Sequence, residues 1–217
     1  MRKTHLIKRY IIMLAGIFVM TFAISLTFQT GLGTTPLSTL PSVIASHFKK
    51  LSFGLVTVFW NMFLIALQIA VLRRSFRKLQ LLQIPLMFVF SAMLDFHGLY
   101  LSRLGLAELS LPAKLAVVAV GVVILAFSIS VTVRADVIMN SGEAVVKAFS
   151  DAFRLNFGHV KVALDAAYVV SGTALSLVLS GTLSGVGIGT VILAVFTGFA
   201  VNAANKAVFP LMDRWLK

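Results

Sequence analysis

A 217-residue chain that is 59% hydrophobic and 12% charged, with a mean hydropathy of +0.99, has too little polar surface to cover a water-soluble domain. Its formal charge of +12 raises the question of nucleic acid, but the cations gather about the ends of long apolar runs with a bias to one side of the membrane, where they orient the chain and attract anionic headgroups, so no nucleic-acid partner is expected. Cysteine is absent, which excludes disulfides and thiolate metal sites.

Crossing a hydrocarbon core takes roughly 20 apolar residues, and six runs meet that length, at about 9–29, 53–72, 79–101, 112–133, 159–180 and 187–209. The first has the basic start and apolar stretch of a signal peptide. Its apolar part is too long, however, and Thr27-Phe28-Gln29-Thr30 offers no small-x-small cleavage site, so a first membrane helix is expected. Next, Gly31-Leu32-Gly33-Thr34-Thr35-Pro36 reads as a helix stop followed by a new start, with Thr34 or Thr35 as cap and Pro36 in the first turn. The helix that follows, to about Ser46, is too short to span at roughly 1.5 Å per residue.

Helical spacing places Thr57, Asn61, Leu64 and Gln68 on one face of the second span. The third carries Asp95 and His97, which point to different sides; His97 is expected at a membrane interface. Gly105, Glu108 and Pro112 mark a short loop from Arg103 to Lys114. After the fourth span, Asn140-Ser141-Gly142-Glu143 has capping-box spacing. An amphipathic run follows, with Ala144, Val145, Ala148, Phe149 and Ala152 opposite Glu143, Lys147, Asp151 and Arg154. In the fifth span Lys161, Asp165, Tyr168 and Gly172 share a face, and Lys161 and Asp165 are spaced to pair. Gly185-Val186-Gly187-Ile188-Gly189 lacks the lysine and setting of a nucleotide loop and reads as a tight turn approaching the bundle. Thr190, Ala194, Gly198 and Asn202, ending at Lys206, form a small-residue stripe expected to pack on another helix.

The chain repeats itself. Ile24-Ser25-Leu26-Thr27 returns as Ile129-Ser130-Val131-Thr132, and Leu51-Ser52-Phe53-Gly54 as Leu155-Asn156-Phe157-Gly158. The expected fold is therefore all-α and polytopic: one membrane domain over 1–217, with six transmembrane helices in two three-helix repeats, about 9–103 and 112–209. Each repeat carries a short half-helix or interfacial helix. Three crossings per repeat put the second copy upside down, the inverted arrangement of many secondary transporters. With both termini cytoplasmic, fifteen of the nineteen Lys and Arg residues fall on the inner side; only Lys49, Lys50, Arg103 and Lys114 are outside.

Ionisable groups within spans mark pathways or buried pairs. Asp95 and Asp165 are the two acids inside the expected spans. The repeat aligns Asp165 with Asn61 and brings Asp95 within a residue of the counterpart of Asn202, so these four are the candidate cavity or coupling residues. Thr34, Thr35, Ser38, Asn140, Ser141 and Glu143, at the starts of the short helices, are the candidate substrate contacts, because helix N-termini favour anionic groups. No catalytic motif, metal-ligand spacing or cofactor motif is present, so neither enzyme activity nor a cofactor is expected.

The segment Gly31-Leu32-Gly33-Thr34-Thr35-Pro36-Leu37-Ser38-Thr39-Leu40 resembles the "DLGxGPWDAL" segment of YczE/YyaS/YitT-type bacterial membrane proteins, and Gly187-Ile188-Gly189-Thr190 is similar to that family's "GIGT" signature. The resemblance covers essentially the whole chain. It departs where Leu37 and Ser38 replace the family's tryptophan and acid, and where Ser141 replaces the proline of the second copy while Glu143 keeps an acid. It implies a multi-pass protein of the bacterial cytoplasmic membrane and says little about activity.

Together these readings point to a small secondary transporter or permease with a polar midplane cavity and alternating access, coupled to protons through Asp95 or Asp165. Its partners would be the bilayer and a small-molecule substrate. The alternatives are a substrate-binding membrane subunit of a larger importer and an accessory membrane protein, either with a partner subunit or as a homo-oligomer.

Overall fold

The computed structural model describes residues 3–183 and 185–215; Arg2 and Lys217, two of the basic residues assigned above to the inner side, lie outside them. Among the described residues the regular secondary structure is all helix, with no strand. In chain order the helices are α1 (Lys3–Gln29), α2 (Thr39–His47), α3 (Phe53–Leu72), α4 (Gln83–Leu101), α5 (Leu111–Ala135), α6 (Ser141–Phe153), α7 (Phe157–Ser180) and α8 (Ile188–Trp215), with short 3₁₀ turns between some of them. All but α2 and α6 are long and apolar enough to cross a membrane. Their outer surfaces are apolar too: Phe59, Phe63, Val162, Val178 and Phe199 are all more than half exposed, as a lipid solvent allows.

The helix ends follow local chemistry. Ser52 accepts the Leu55 N–H to start α3, and Asn156 accepts the Gly158 N–H to start α7. α5 and α6 end on Asp136 and Arg154 in the left-handed region. α8 runs past the expected stop near 209 and through Pro210, because its last turns are still anchored. Val208 and Met212 are buried there, and Arg134 holds Asp213 while lying over the Phe209 ring. Those contacts outweigh the hydrogen bond that proline removes.

At the centre α1 and α5 cross antiparallel. Arg9 Nη1 donates to the Ala135 carbonyl at 3.0 Å, and the close approaches between these two ends are made by glycine. A Cβ at Gly16 would lie 2.7 Å from Thr132 Cγ2, and one at Gly121 would lie 2.5 Å from Thr27 Cγ2. Around this pair, α4 packs on α1 and α8 packs on α5. The main core gathers Met13, Ile17, Met20, Leu94, Val118, Leu125 and Leu193.

The short helices cross over between the halves. α2 packs on α7, and α6 packs on α3. Both are set into the bundle: Thr39, Ser42 and Val43 of α2, and Ser141, Val145, Val146 and Ala148 of α6, are buried. α3 packs along α4, but among the described residues α7 and α8 share no comparably extended contact.

Candidate functional site

The starts of α2 and α6 meet. Leu37, in the 3₁₀ turn Pro36–Ser38 before α2, lies against Gly142 so closely that a Cβ there would collide with its methyl groups. Two of the expected site residues are joined at this point: Ser141 Oγ donates to Asn61 Oδ1 at 2.6 Å, with both residues buried. Asn140 caps α6 by accepting the Ser141 N–H at 2.9 Å. Gln68 Nε2 donates to the Ser141 carbonyl and also pairs reciprocally with Gln83. The expected face Thr57, Asn61, Leu64 and Gln68 is thus the buried face of α3, and it grips the N-terminus of α6.

Across from it, α7 presents the expected ion pair. Lys161 Nζ donates to both Asp165 oxygens at 2.6 Å. Glu143, in the first turn of α6, is within electrostatic range of Lys161 and Asp165. α6 is not one of the six spans; burial raises the Glu143 carboxyl above its ordinary value, opposed by the positive charge of Lys161. Tyr168 Oη and Trp60 Nε1 are buried without a hydrogen-bond partner, and their rings meet edge-on at 5.7 Å. Neither was legible as a site residue, since an aromatic within a hydrophobic run carries no distinguishing signal.

The loop after α1 docks on the start of α8. Gly189 N–H donates to the Leu32 carbonyl at 2.8 Å, and Thr34 N–H to Thr190 Oγ1 at 3.2 Å. The glycines of 185–189 permit this approach, as their spacing suggested: at 187 and 189 a Cβ would stand within 3 Å of the Leu32 carbonyl oxygen. Thr34 is fully buried with its hydroxyl unpartnered. Thr35 does not cap a helix through its side chain; its hydroxyl donates to Ser38 Oγ at 2.9 Å.

Asp95 lies elsewhere. Its carboxylate accepts Ser52 Oγ at 2.5 Å and Gly54 N–H at 2.6 Å, so it completes the N-terminus of α3. It also borders a pocket of about 400 Å³ between α1, α3 and α4, with Ser25, Gln29 and Ser102 among the other lining residues. A second, smaller pocket of about 290 Å³ shares Phe28 and Gln29 and continues toward Gly33 and Gly185.

His97 is 1% exposed: Nδ1 meets Tyr100 Oη at 2.7 Å, Nε2 meets the Phe18 carbonyl at 3.0 Å, and Phe18, Phe22 and Phe96 surround the ring. Two expectations are corrected. Asn202 is exposed on α8 and joins neither Asp95 nor Asp165. The stripe it belongs to is likewise outward-facing beyond Thr190: Ala194, Gly198 and Lys206 are exposed, and a Cβ at Gly198 would meet nothing within 4 Å. α8 packs on α5 with its other face, where Leu193 and Val208 are buried.

One family model matches residues 7–206, that of a family of unknown function, DUF6198. The chain belongs to this family. No curated protein and no solved structure matches it. Membership leaves activity to be argued from the site.

Proposed function

We propose that this DUF6198 protein is a small secondary transporter of the bacterial cytoplasmic membrane, related to the YczE/YyaS/YitT type, with both termini cytoplasmic. Its two halves form an inverted repeat that alternates access to a polar centre. The observation that carries the reading is the contact of Leu37 with Gly142, which are counterparts at the repeat offset of 105. Counterparts touch one another where a two-fold axis passes between them. The exchanged packing of α2 on α7 and α6 on α3 supports the same relation.

Alternating access needs halves that share a design but differ in arrangement, so that exchanging arrangements turns the cavity over. The close packing of α3 with α4, unmatched by α7 and α8, is such a difference. In this reading Asn61, Ser141 and Asn140 frame the centre, Thr34, Thr35, Ser38 and Glu143 line the approach, and Asp95 and Asp165 couple movement to protons. Asn202, exposed on α8, is left without a part in the cavity.

The test is counterflow into proteoliposomes with pooled metabolites, comparing the parent with Asp95→Asn and Asp165→Asn. Uptake by the parent that both variants carry out with unchanged proton movement would end the coupling proposal. A second reading, the membrane subunit of a larger importer, is favoured by the unpartnered small-residue stripe Ala194, Gly198 and Asn202; co-purification of a partner subunit, with binding but no transport by the isolated chain, would support it instead.

A further inference from the structure

The larger pocket has a chemistry of its own. Among its lining residues Asp95 is the sole ionisable group; the rest are hydroxyls, one amide and apolar side chains, including Phe28 and Leu99. Lys49 and Lys50 are exposed in the loop just before Leu51 and are not part of the lining. The carboxylate is only part-buried, and each of its oxygens accepts one hydrogen bond. A carboxylate has about four acceptor positions, so roughly two remain free. The two donors that are in place hold it rigidly at the mouth of α3.

Beside it, Phe28 and Phe53 stack on each other at a centroid distance of 4.5 Å, and both line the pocket as an apolar wall. Ser25 directs its hydroxyl to the Leu94 carbonyl at 2.9 Å and so is already satisfied. Among the described residues the Gln29 side chain makes no hydrogen bond, and its Nε2 lies 4.0 Å from where a Cβ at Gly98 would stand. A fixed negative charge next to an aromatic surface, in a space of about 400 Å³, matches a ligand with one positive charge and a small apolar body.

The geometry points to a binding site for a small organic ammonium compound between α1, α3 and α4, its cation on Asp95 and its apolar part on the Phe28–Phe53 wall. This rests on the transporter reading above and names the class of solute it carries, held at Asp95 apart from the Asn61–Ser141 centre. An ammonium supplies the donors the carboxylate still lacks, and a charge-assisted hydrogen bond in a low-dielectric setting is stronger than one in water. An anion would face Asp95 with no cation among the lining residues. A neutral alcohol would gain the wall but not the charge.

The experiment uses the purified full-length protein in detergent and three probes of similar shape: benzylammonium, benzyl alcohol and benzoate. Binding is measured by calorimetry and by the thermal shift it causes. Benzylammonium is expected to bind at least about tenfold more tightly than either of the others. Asp95→Asn keeps an oxygen acceptor for the Gly54 N–H but removes the charge, and it should abolish that preference. Gly98→Leu is the second variant: Gly98 lines the pocket, and a Cβ there meets only Gln29 Nε2 within 4 Å, so a leucine takes up part of the space and should weaken benzylammonium at least about tenfold.

Benzoate or benzyl alcohol binding as well as benzylammonium overturns the site, as does undiminished binding by a folded Asp95→Asn or Gly98→Leu protein. Selective binding with no uptake into proteoliposomes supports the site and counts against the transporter reading. Uptake of another solute that is indifferent to both substitutions supports that reading and overturns the ammonium site.

Discussion

Gly121 of α5 lies against Thr27 of α1, and the residues 105 positions away from each, Gly16 and Thr132, make the same contact at the other end of the crossing. Two glycine–threonine contacts related in this way let α1 and α5 approach closely at both ends, where small residues replace the missing hydrophobic drive between membrane helices. Gly16→Ala and Gly121→Ala should each destabilise the protein by about 1–3 kcal/mol, since the added methyl group must displace a packed threonine. Thermal denaturation in detergent checks this, and the two losses should be similar in size. A large loss at one glycine with none at the other would argue against an equivalent crossing.

Leu37 and Gly142 give a second test. Gly142→Val pushes a branched side chain into Leu37, and Leu37→Ala should relieve part of that strain. In a double-mutant cycle of thermal stability the pair should couple by about 0.5–3 kcal/mol. Simple additivity would mean that the tips of the short helices do not depend on each other.

The Lys161–Asp165 pair is part-buried, with side-chain exposures of 40% and 21%. Lys161→Met leaves Asp165 without its cation and should cost on the order of 1 kcal/mol, discounted for solvent screening. Adding Asp165→Leu should recover much of that loss, because removing both charges costs less than stranding one. A double variant that is worse than Lys161→Met alone would show that the carboxylate has another partner.

Glu143 gives a pH dependence whose sign is fixed. A carboxyl raised above its ordinary value of 4.5 keeps its proton more firmly in the folded protein than in the unfolded chain. The stability it contributes is complete below 4.5 and is lost as pH rises through the higher folded value. Glu143→Gln should therefore match the parent in acid and become the more stable of the two as pH rises. Melting curves over that range check it; a variant that instead loses ground with rising pH contradicts the assignment.

The spans were legible because hydropathy measures what a bilayer requires. The predicted 53–72 is the observed Phe53–Leu72, and the first helix ends where Gly31 and Gly33 stop it. Contacts within one helix were legible as well: Lys161 reaches Asp165 because they are one turn apart. What the sequence hides is which face of a span meets protein, since lipid and helix interior are equally apolar. The α8 stripe, whose spacing predicts an interface, therefore faces outward, and spacing gives no sign that aromatic rings from α1 and α4 enclose His97. The partner of Asp95 is equally hidden: it is the N-terminus of α3, which offers backbone N–H and a serine hydroxyl but no opposite charge to read in the sequence.

The central claim, that the second half is inserted upside down relative to the first, meets its most direct test in sided cysteine labelling. The chain contains no native cysteine, so Lys49→Cys, between α2 and α3, and Asp151→Cys, at the end of α6, can each report alone. In intact cells a membrane-impermeant maleimide should label Lys49→Cys, and Asp151→Cys only after the membrane is permeabilised. Labelling of both positions from the same side would contradict the account.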